Sequence, residues 1–299
     1  MAFYLASAYP TRTDAAIVAA CRQRGIRAYP VTPAEAARRA LPGDLVLVRV
    51  DVSPTLDGVD SGIWKLRRLA DGVRVLNRLG PLLTAHDKLG TAVALAQQGL
   101  PHPRTAQVDE GDPTTEIPPP LVVKPRFGSW GKDVFLCPTQ QDYVRCLRRV
   151  RRRRWFRRHG ALVQELVPPR GRDMRLVVAR GELVGAIKRI AAPGEWRTNI
   201  CLGGQRRRVD PPPDARAIAE RAASAIGCDL VGVDLLPLPD GGWTVLELNA
   251  AVEMTRDYSL DGSDVYKRMA DALTGVSRTS AERTTTWVPG RLTAELGVN

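Results

Sequence analysis

Over residues 1–83 short apolar runs alternate with segments whose apolar positions recur at helical spacing, a pattern that predicts βαβ units. Strands are expected at 3–7, 27–31, 44–50 and 73–76, and helices at 14–24, 33–40 and 62–70. Helical crossovers between strands imply a parallel sheet, hence a small α/β domain. The turn after the first strand reads SAYPTRTD, so it lacks the glycine fingerprint of a dinucleotide-binding turn.

Next, a helix is expected over 85–98, closed by Gly99 and by Pro101 and Pro103, which lack the donors a helix needs. The segment DEGDPTTEIPPP can bury little and reads as a linker or loop. Beyond it the pattern becomes strand-rich, with strands expected at 121–124, 134–137, 161–166, 174–179, 182–189, 230–236 and 243–248. Helices at 140–158, 214–226 and 263–273 would cover them, giving an α+β half. The Thr-, Ser- and Arg-rich stretch after Gly275 is expected to be weakly structured or draped over the surface.

Composition narrows the picture. A chain of 299 residues exceeds what one core usually serves, so two packed domains are expected. No uncharged apolar run approaches the roughly 18–20 residues of a membrane helix. Residues 1–10 lack a basic leader and contain a proline, so they read as a strand, and a cytoplasmic protein is expected. The five cysteines form no CxxC pair, and only three histidines are present, so a thiol framework or histidine-based triad has few candidates.

The net charge of +12 favours anionic partners. Much of it is local, in RRVRRRRWFRRHG. Two readings stand: arginine forks and aromatics that grip nucleic acid, or a helix begun near Thr139 with a solvated basic face and a core-facing row of Val144, Leu147, Val150 and Phe156. The second is preferred, and nucleic acid is not the expected partner.

Three segments carry chemistry. LVVKPRFGSWGKDV sets Lys124 at a strand end before a loop with Gly128, Ser129 and Gly131, a phosphate cradle or a plain hairpin turn. It is not a Walker A loop, because Asp133 follows Gly131-Lys132. VGVDLLPLPDGGWTVLELNA forms a hairpin that brings Asp234 alongside Glu247 and Asn249, which share a face by strand alternation. Their hard oxygens suit Mg²⁺; a turn cap and an arginine pair are the alternative. Between them, Asp173, Arg175, Lys188, Arg189, Arg197 and Asn199 form either a cationic wall beside that metal or a salt-bridged sheet face.

In this order the motifs resemble the ATP-grasp superfamily, and within it the RimK-like amino-acid ligases, from VLNRLGPLLTAHDKLGTAVALAQQGLPHPRT through VVKPRFGSWGKDV, VQELVPPRGRDMRLVV and KRIAAPGEWRTNICLGG to DLLPLPDGGWTVLELNAAVEM. The resemblance implies a Rossmann-like N-terminal domain (1–83), a helical segment and linker (84–118), a small ATP-binding subdomain (119–168), a catalytic, metal-binding subdomain (169–276) and a tail (277–299), with ATP clasped between the two α+β subdomains. It implies phosphate-binding roles for Lys88 and Lys124, with Ser129, Gly131 and Lys188 also at the nucleotide. Gln164, Glu165 and Leu166 resemble the adenine hinge, and Asp173 the acid beside the nucleotide. Arg197 and Asn199 match the element beside the γ-phosphate, Arg189 an arginine that stabilises an acyl phosphate, and Asp234, Glu247 and Asn249 the Mg²⁺ ligands. Asp133 stands where many relatives have glycine.

The activity implied is an ADP-forming carboxylate–amine ligase with ATP and two Mg²⁺, for which Mn²⁺ substitutes. An amino acid is one expected substrate and an acidic peptide or carrier protein the other, because GSWG and ELNAAVEM look like the lysine-biosynthesis ligases. A homo-oligomer is expected. The alternatives are a precursor-peptide or specialised-metabolite ligase, and a non-catalytic polyanion-binding homologue.

Overall fold

The computed structural model describes residues 1–275; the tail expected at 277–299 lies outside them. Three sheets organise these residues. In the first, β1 (Ala2–Ala6), β2 (Arg27–Val31), β3 (Leu45–Val48) and β4 (Arg74–Leu76) are parallel in the order β2-β1-β3-β4, as the βαβ pattern predicts. Helices α1 (Arg12–Gln23) and α2 (Pro33–Arg39) each begin at a threonine capping box, Thr11 with Asp14 and Thr32 with Glu35. The helix expected at 62–70 is instead a 3-10 helix, Ser61–Arg68. Its two buried residues, Ile63 and Leu66, lie three apart, the spacing that eclipses side chains in that geometry.

The helix expected at 85–98 is two, α3 (Leu79–His86) and α4 (Lys88–Gln97). Asp87 breaks them, with ψ of 101°, and its carboxylate accepts the Leu89 amide to cap α4. The second sheet runs β5-β8-β6-β7, all antiparallel, from β5 (Thr105–Val108), β6 (Leu121–Lys124), β7 (Phe135–Cys137) and β8 (Ala161–Glu165). The expected helix 140–158 is also two, α5 (Gln140–Val150) and α6 (Arg154–His159), because Arg153 turns extended between them. That turn lets Trp155 and Phe156 join Tyr143, Leu147 and Val150 in one core. The arginines stay outside: Arg151 pairs with Glu110, Arg153 with Asp133, and Arg154 and Arg158 with Asp57.

The third sheet, β11-β10-β9-β12-β13, comprises β9 (Arg172–Ala179), β10 (Glu182–Ile190), β11 (Gln205–Arg208), β12 (Leu230–Pro237) and β13 (Trp243–Asn249). Helices α7 (Pro213–Ile226) and α8 (Val265–Thr274) flank it. Alternation along β9 sends Met174, Leu176 and Val178 into a cluster with α7 and with Val46 and Val48 of the first sheet. It sends Val177 and Ala179 into another with α8, Phe3 and Leu5. First and third sheets therefore share their cores. Asn77 pins them, its side-chain amide donating to the Leu230 carbonyl and accepting the Leu230 amide, each at 2.8 Å. Arg49, buried, does the same through Asp14 at 2.6 Å, the Val252 carbonyl at 2.9 Å and Glu253 at 3.0 Å. Among the described residues no helix is long and apolar enough to cross a membrane.

Candidate active site

A cleft opens between the second and third sheets. Lys88, Lys124, Ser129 and Gly131 line one wall, Gln164, Glu165 and Leu166 its hinge end, and Asp173, Arg189, Arg197, Asn199, Asp234 and Glu247 the other wall. Two residues expected there are elsewhere. Lys188 faces away, because alternation puts it opposite the face that carries Arg189, beside Met174 and Arg207. Asn249 ends β13 on the same face as Glu247 but outside the cleft lining, its Oδ1 accepting the Ala251 amide at 2.9 Å.

On the first wall, Lys124 is buried and donates to Gln164 Oε1 at 2.7 Å. Burial pushes its pKa down to about 7, although Glu247 pulls the other way. Gln164 is held in turn, its Nε2 donating to Thr105 Oγ1 at 2.8 Å. Beside it His102 Nδ1 meets the Val245 carbonyl at 2.7 Å, and burial lowers the ring's pKa to about 4, so the imidazole is neutral. Lys88 donates to the Gly128 carbonyl and lies 3.4 Å from Glu247 Oε2 across the cleft. Asp87 holds this corner, gripping Arg126 through both its oxygens.

The loop between β6 and β7 is shaped by left-handed residues, Trp130, Gly131 and Asp133. At Gly131, φ is +67° and a Cβ would lie 2.8 Å from Asn199 Oδ1, so any other residue is strained there and must displace Asn199. Its carbonyl accepts from Arg197 Nη1 at 3.0 Å, which latches the loop to the opposite wall. Asp133 adopts φ +52°, a conformation aspartate tolerates better than most residues, and its carboxylate accepts Trp155 Nε1 at 2.8 Å.

The second wall is a lattice of charge set by strand register. Asp173 lies opposite Arg189, Arg175 opposite Asp234, and Asp234 opposite Glu247. Arg175 grips Asp234 with two bonds of 2.6 and 2.7 Å. Arg189 holds Asp173 in the same forked way and also reaches Asp234 Oδ2 at 2.7 Å. Thr198 Oγ1 donates to Asp173 at 2.5 Å. Two guanidiniums and two carboxylates cancel, which is why charges can be buried here. Burial alone would raise the pKa of Asp234, but Arg175 and Arg189 hold it below the usual carboxylate range. Arg197 is clamped by Glu195, whose hydrogen bonds from that guanidinium and its amide lower its pKa to about 2.

A divalent cation fits part of the expected ligand set. Glu247 makes one close contact with a charged side chain, to Lys88, and Asn249 Oδ1 has a second lone pair; both are hard oxygens. Asp234 differs, since both its oxygens already accept guanidinium donors. Among the described residues no three His, Cys, Asp or Glu side chains converge as a preformed metal cluster.

The partners that orient this site were less legible. Arg175 is the exception: it belongs to the cationic wall or salt-bridged face that the sequence suggests, two residues after Asp173 and on the same face by alternation. His102, Thr105, Glu195 and Thr198 act through contacts between distant segments or within an irregular loop, and no periodicity marks them.

The RimK-like ATP-grasp domain matches residues 85–273. A probable alpha-L-glutamate ligase of Serratia proteamaculans is 35% identical over 202 residues, 66% of this chain and 66% of the relative. N-acetylaspartylglutamate synthase A of Mus musculus is 32% identical over 223 residues, 70% of this chain and 56% of the relative, so the chain spans two thirds or less of these relatives' length. Among solved structures, a RimK domain ATP-grasp protein from Sphaerobacter thermophilus superposes with a TM-score of 0.65 at 24% identity, covering 92% of this chain and all of the other. With the domain match extending over more than half of its residues, the chain belongs to the RimK-like ATP-grasp family.

Proposed function

We propose that this chain is an ADP-forming carboxylate–amine ligase that joins an amino acid to an acidic peptide or carrier protein, with ATP as the energy source. The observation that carries the reading is Lys88 and Lys124 on one wall of a cleft facing Glu247 on the other, with Arg189 and Arg197 beside them. Both curated relatives have glutamate in their names, which supports glutamate as the amino acid.

Lys124 and Lys88 would hold nucleotide phosphates, and Glu165 and Leu166 at the hinge would hold adenine. Arg197 and Asn199, with Ser129 and Gly131 across the loop, would enclose the γ-phosphate. A substrate carboxylate oxygen attacks the γ-phosphorus as the bond to ADP breaks, giving an acyl phosphate. The amine nitrogen then displaces phosphate from the acyl carbon and loses one proton, leaving an amide. Arg189 is fixed by its two aspartates through Nε and Nη2, and among the described residues no acceptor meets Nη1, which would face the developing charge on the acyl oxygen. Glu247 and Asn249 would hold Mg²⁺, with Asp234 behind them, and the ion would supply Lewis-acid charge neutralisation. Positioning and fixed charge provide the rate enhancement, with no covalent enzyme intermediate.

The test is ADP release from Mg·ATP with glutamate and a panel of amine and carboxylate partners, singly and in pairs, with Glu247→Ala as control. ADP formation that requires one acid and one amine and is lost in the variant is expected. Release of ADP by Glu247→Ala at the wild-type rate would remove the metal assignment, and a wild-type chain that releases none with any pair would remove the ligase reading.

A further inference from the structure

Among the described residues, β11 is the edge strand of the third sheet, paired only with β10. All four of its residues, Gln205 and Arg206 to Arg208, are exposed. Its register sets Arg206 opposite Arg189, so a residue of the cleft wall and a residue of the open edge are direct neighbours on one face, about 5 Å apart between strands. β11 begins six residues after Asn199, beyond a 3-10 turn at Ile200–Leu202, and Arg197, Thr198 and Asn199 line the cleft.

The charges on this edge are not balanced by acids among the described residues. Arg207 lies opposite Lys188, a like-charged pair of the kind that weakens a sheet. Arg207 donates only to Gln205, and among the described residues no carboxylate forms an ion pair with Lys188, Arg206, Arg207 or Arg208. In the tract at 151–158, by contrast, four of the six arginines, Arg151, Arg153, Arg154 and Arg158, meet acids, and among the described residues Arg152 and Arg157 do not. Edge strands do carry charge to repel other strands. A single charge serves that purpose, whereas three consecutive arginines opposite a lysine cost stability and concentrate positive potential at the mouth of the cleft.

We infer that β11 is the docking strand for an acidic polypeptide, which adds as an extended strand along the open edge with its carboxylates on Arg206 and Arg208, and so leads its reactive end to Arg189. The inference rests on the ligase reading and names how its larger substrate is held. Backbone hydrogen bonds along the edge supply affinity, and the alternate arginines supply selectivity for acids.

The test is fluorescence anisotropy of labelled octaglutamate with the full chain in the absence of ATP. Octaglutamine, a single-stranded DNA 12-mer, and octaglutamate methylated on every second backbone amide are competitors. Octaglutamate is expected to bind, octaglutamine and the methylated peptide not to compete, and DNA to compete poorly. The double variant Arg206→Gln/Arg208→Gln should weaken binding about tenfold or more, the sum of two charge contacts. Lys65→Gln/Arg68→Gln, which removes the same charge from the exposed 3-10 helix of the first sheet, should change it less than about threefold. Equal weakening in both variants, DNA competing as well as the peptide, or no octaglutamate binding would each overturn the docking strand. Because binding is read without turnover, ADP release from free amino acids without peptide binding removes the docking strand alone. Peptide binding without any ADP release removes the ligase reading alone.

Discussion

Arg189 Nη2 lies 2.7 Å from Asp234 Oδ2, and that one contact ties the arginine expected at the acyl phosphate to the acid expected at the metal. Both side chains are almost wholly buried, and with Arg175 and Asp173 they form a neutral group of four. Asp234 is thus as much a structural partner of two guanidiniums as a ligand.

Asp234→Ala should therefore damage the fold as well as the chemistry. It leaves Arg175 and Arg189 with one carboxylate between them, a loss on the order of 3–5 kcal/mol for a broken buried pair. Glu247→Ala, whose side chain is a quarter exposed, should leave stability within about 1 kcal/mol of wild type while abolishing ADP release. Urea denaturation of both variants checks this, and equal stability of the two would refute the structural role of Asp234.

Lys124 makes both stability and nucleotide binding depend on pH. Its folded pKa of about 7 lies below the unfolded value of about 10.4. Between those values the unfolded chain binds the extra proton, so this residue's contribution to stability rises as pH increases from 7 towards 10 and is flat below 7. An anionic phosphate beside Lys124 would restore its charge, so nucleotide binding at pH 8 should take up close to one proton. Calorimetry in buffers of different ionisation enthalpy measures that number, and Lys124→Met should remove the uptake.

Gly131→Ala should act on the nucleotide and little on the fold. The added methyl would meet Asn199 Oδ1 at 2.8 Å and Cγ at 3.1 Å, in a backbone conformation that alanine resists. A strain of about 1–2 kcal/mol is expected, and much of it is relieved by moving Asn199. The KM for ATP should rise about tenfold, with a melting temperature within a few degrees of wild type. An unchanged KM would show that the contact between Gly131 and Asn199 does not shape the site.

Thiol reactivity offers an independent check on the packing. Cys21, Cys137, Cys146 and Cys228 are buried, and Cys201 is exposed, its Sγ 3.1 Å from the Trp130 carbonyl. Burial pushes the Cys21 and Cys228 thiols up, to about 11 and 12, which further suppresses them. One fast-reacting thiol per native chain is expected with a disulfide reagent, and it should disappear in Cys201→Ser. Two or more fast thiols would contradict the burial of Cys21, Cys137, Cys146 and Cys228.

Periodicity along the chain determined the parallel sheet of residues 1–76 and the strands that carry Lys124, Arg189, Asp234 and Glu247, with Asp173 one residue ahead of its expected strand, because alternation is a local property of a strand. The order of the motifs also pointed to the family. Tertiary structure decided the rest. The two expected helices each break in two where Asp87 caps one and Arg153 turns the chain, and β5 and β11 carry too little apolar pattern to announce themselves. Lys188 falls on the far side of the strand that presents Arg189, and Asp234 is claimed by two arginines from neighbouring strands. Those outcomes depend on register and on contacts between segments some 45 to 60 residues apart. A buried charge takes whichever partner the fold brings within reach, and the sequence records only that both are present.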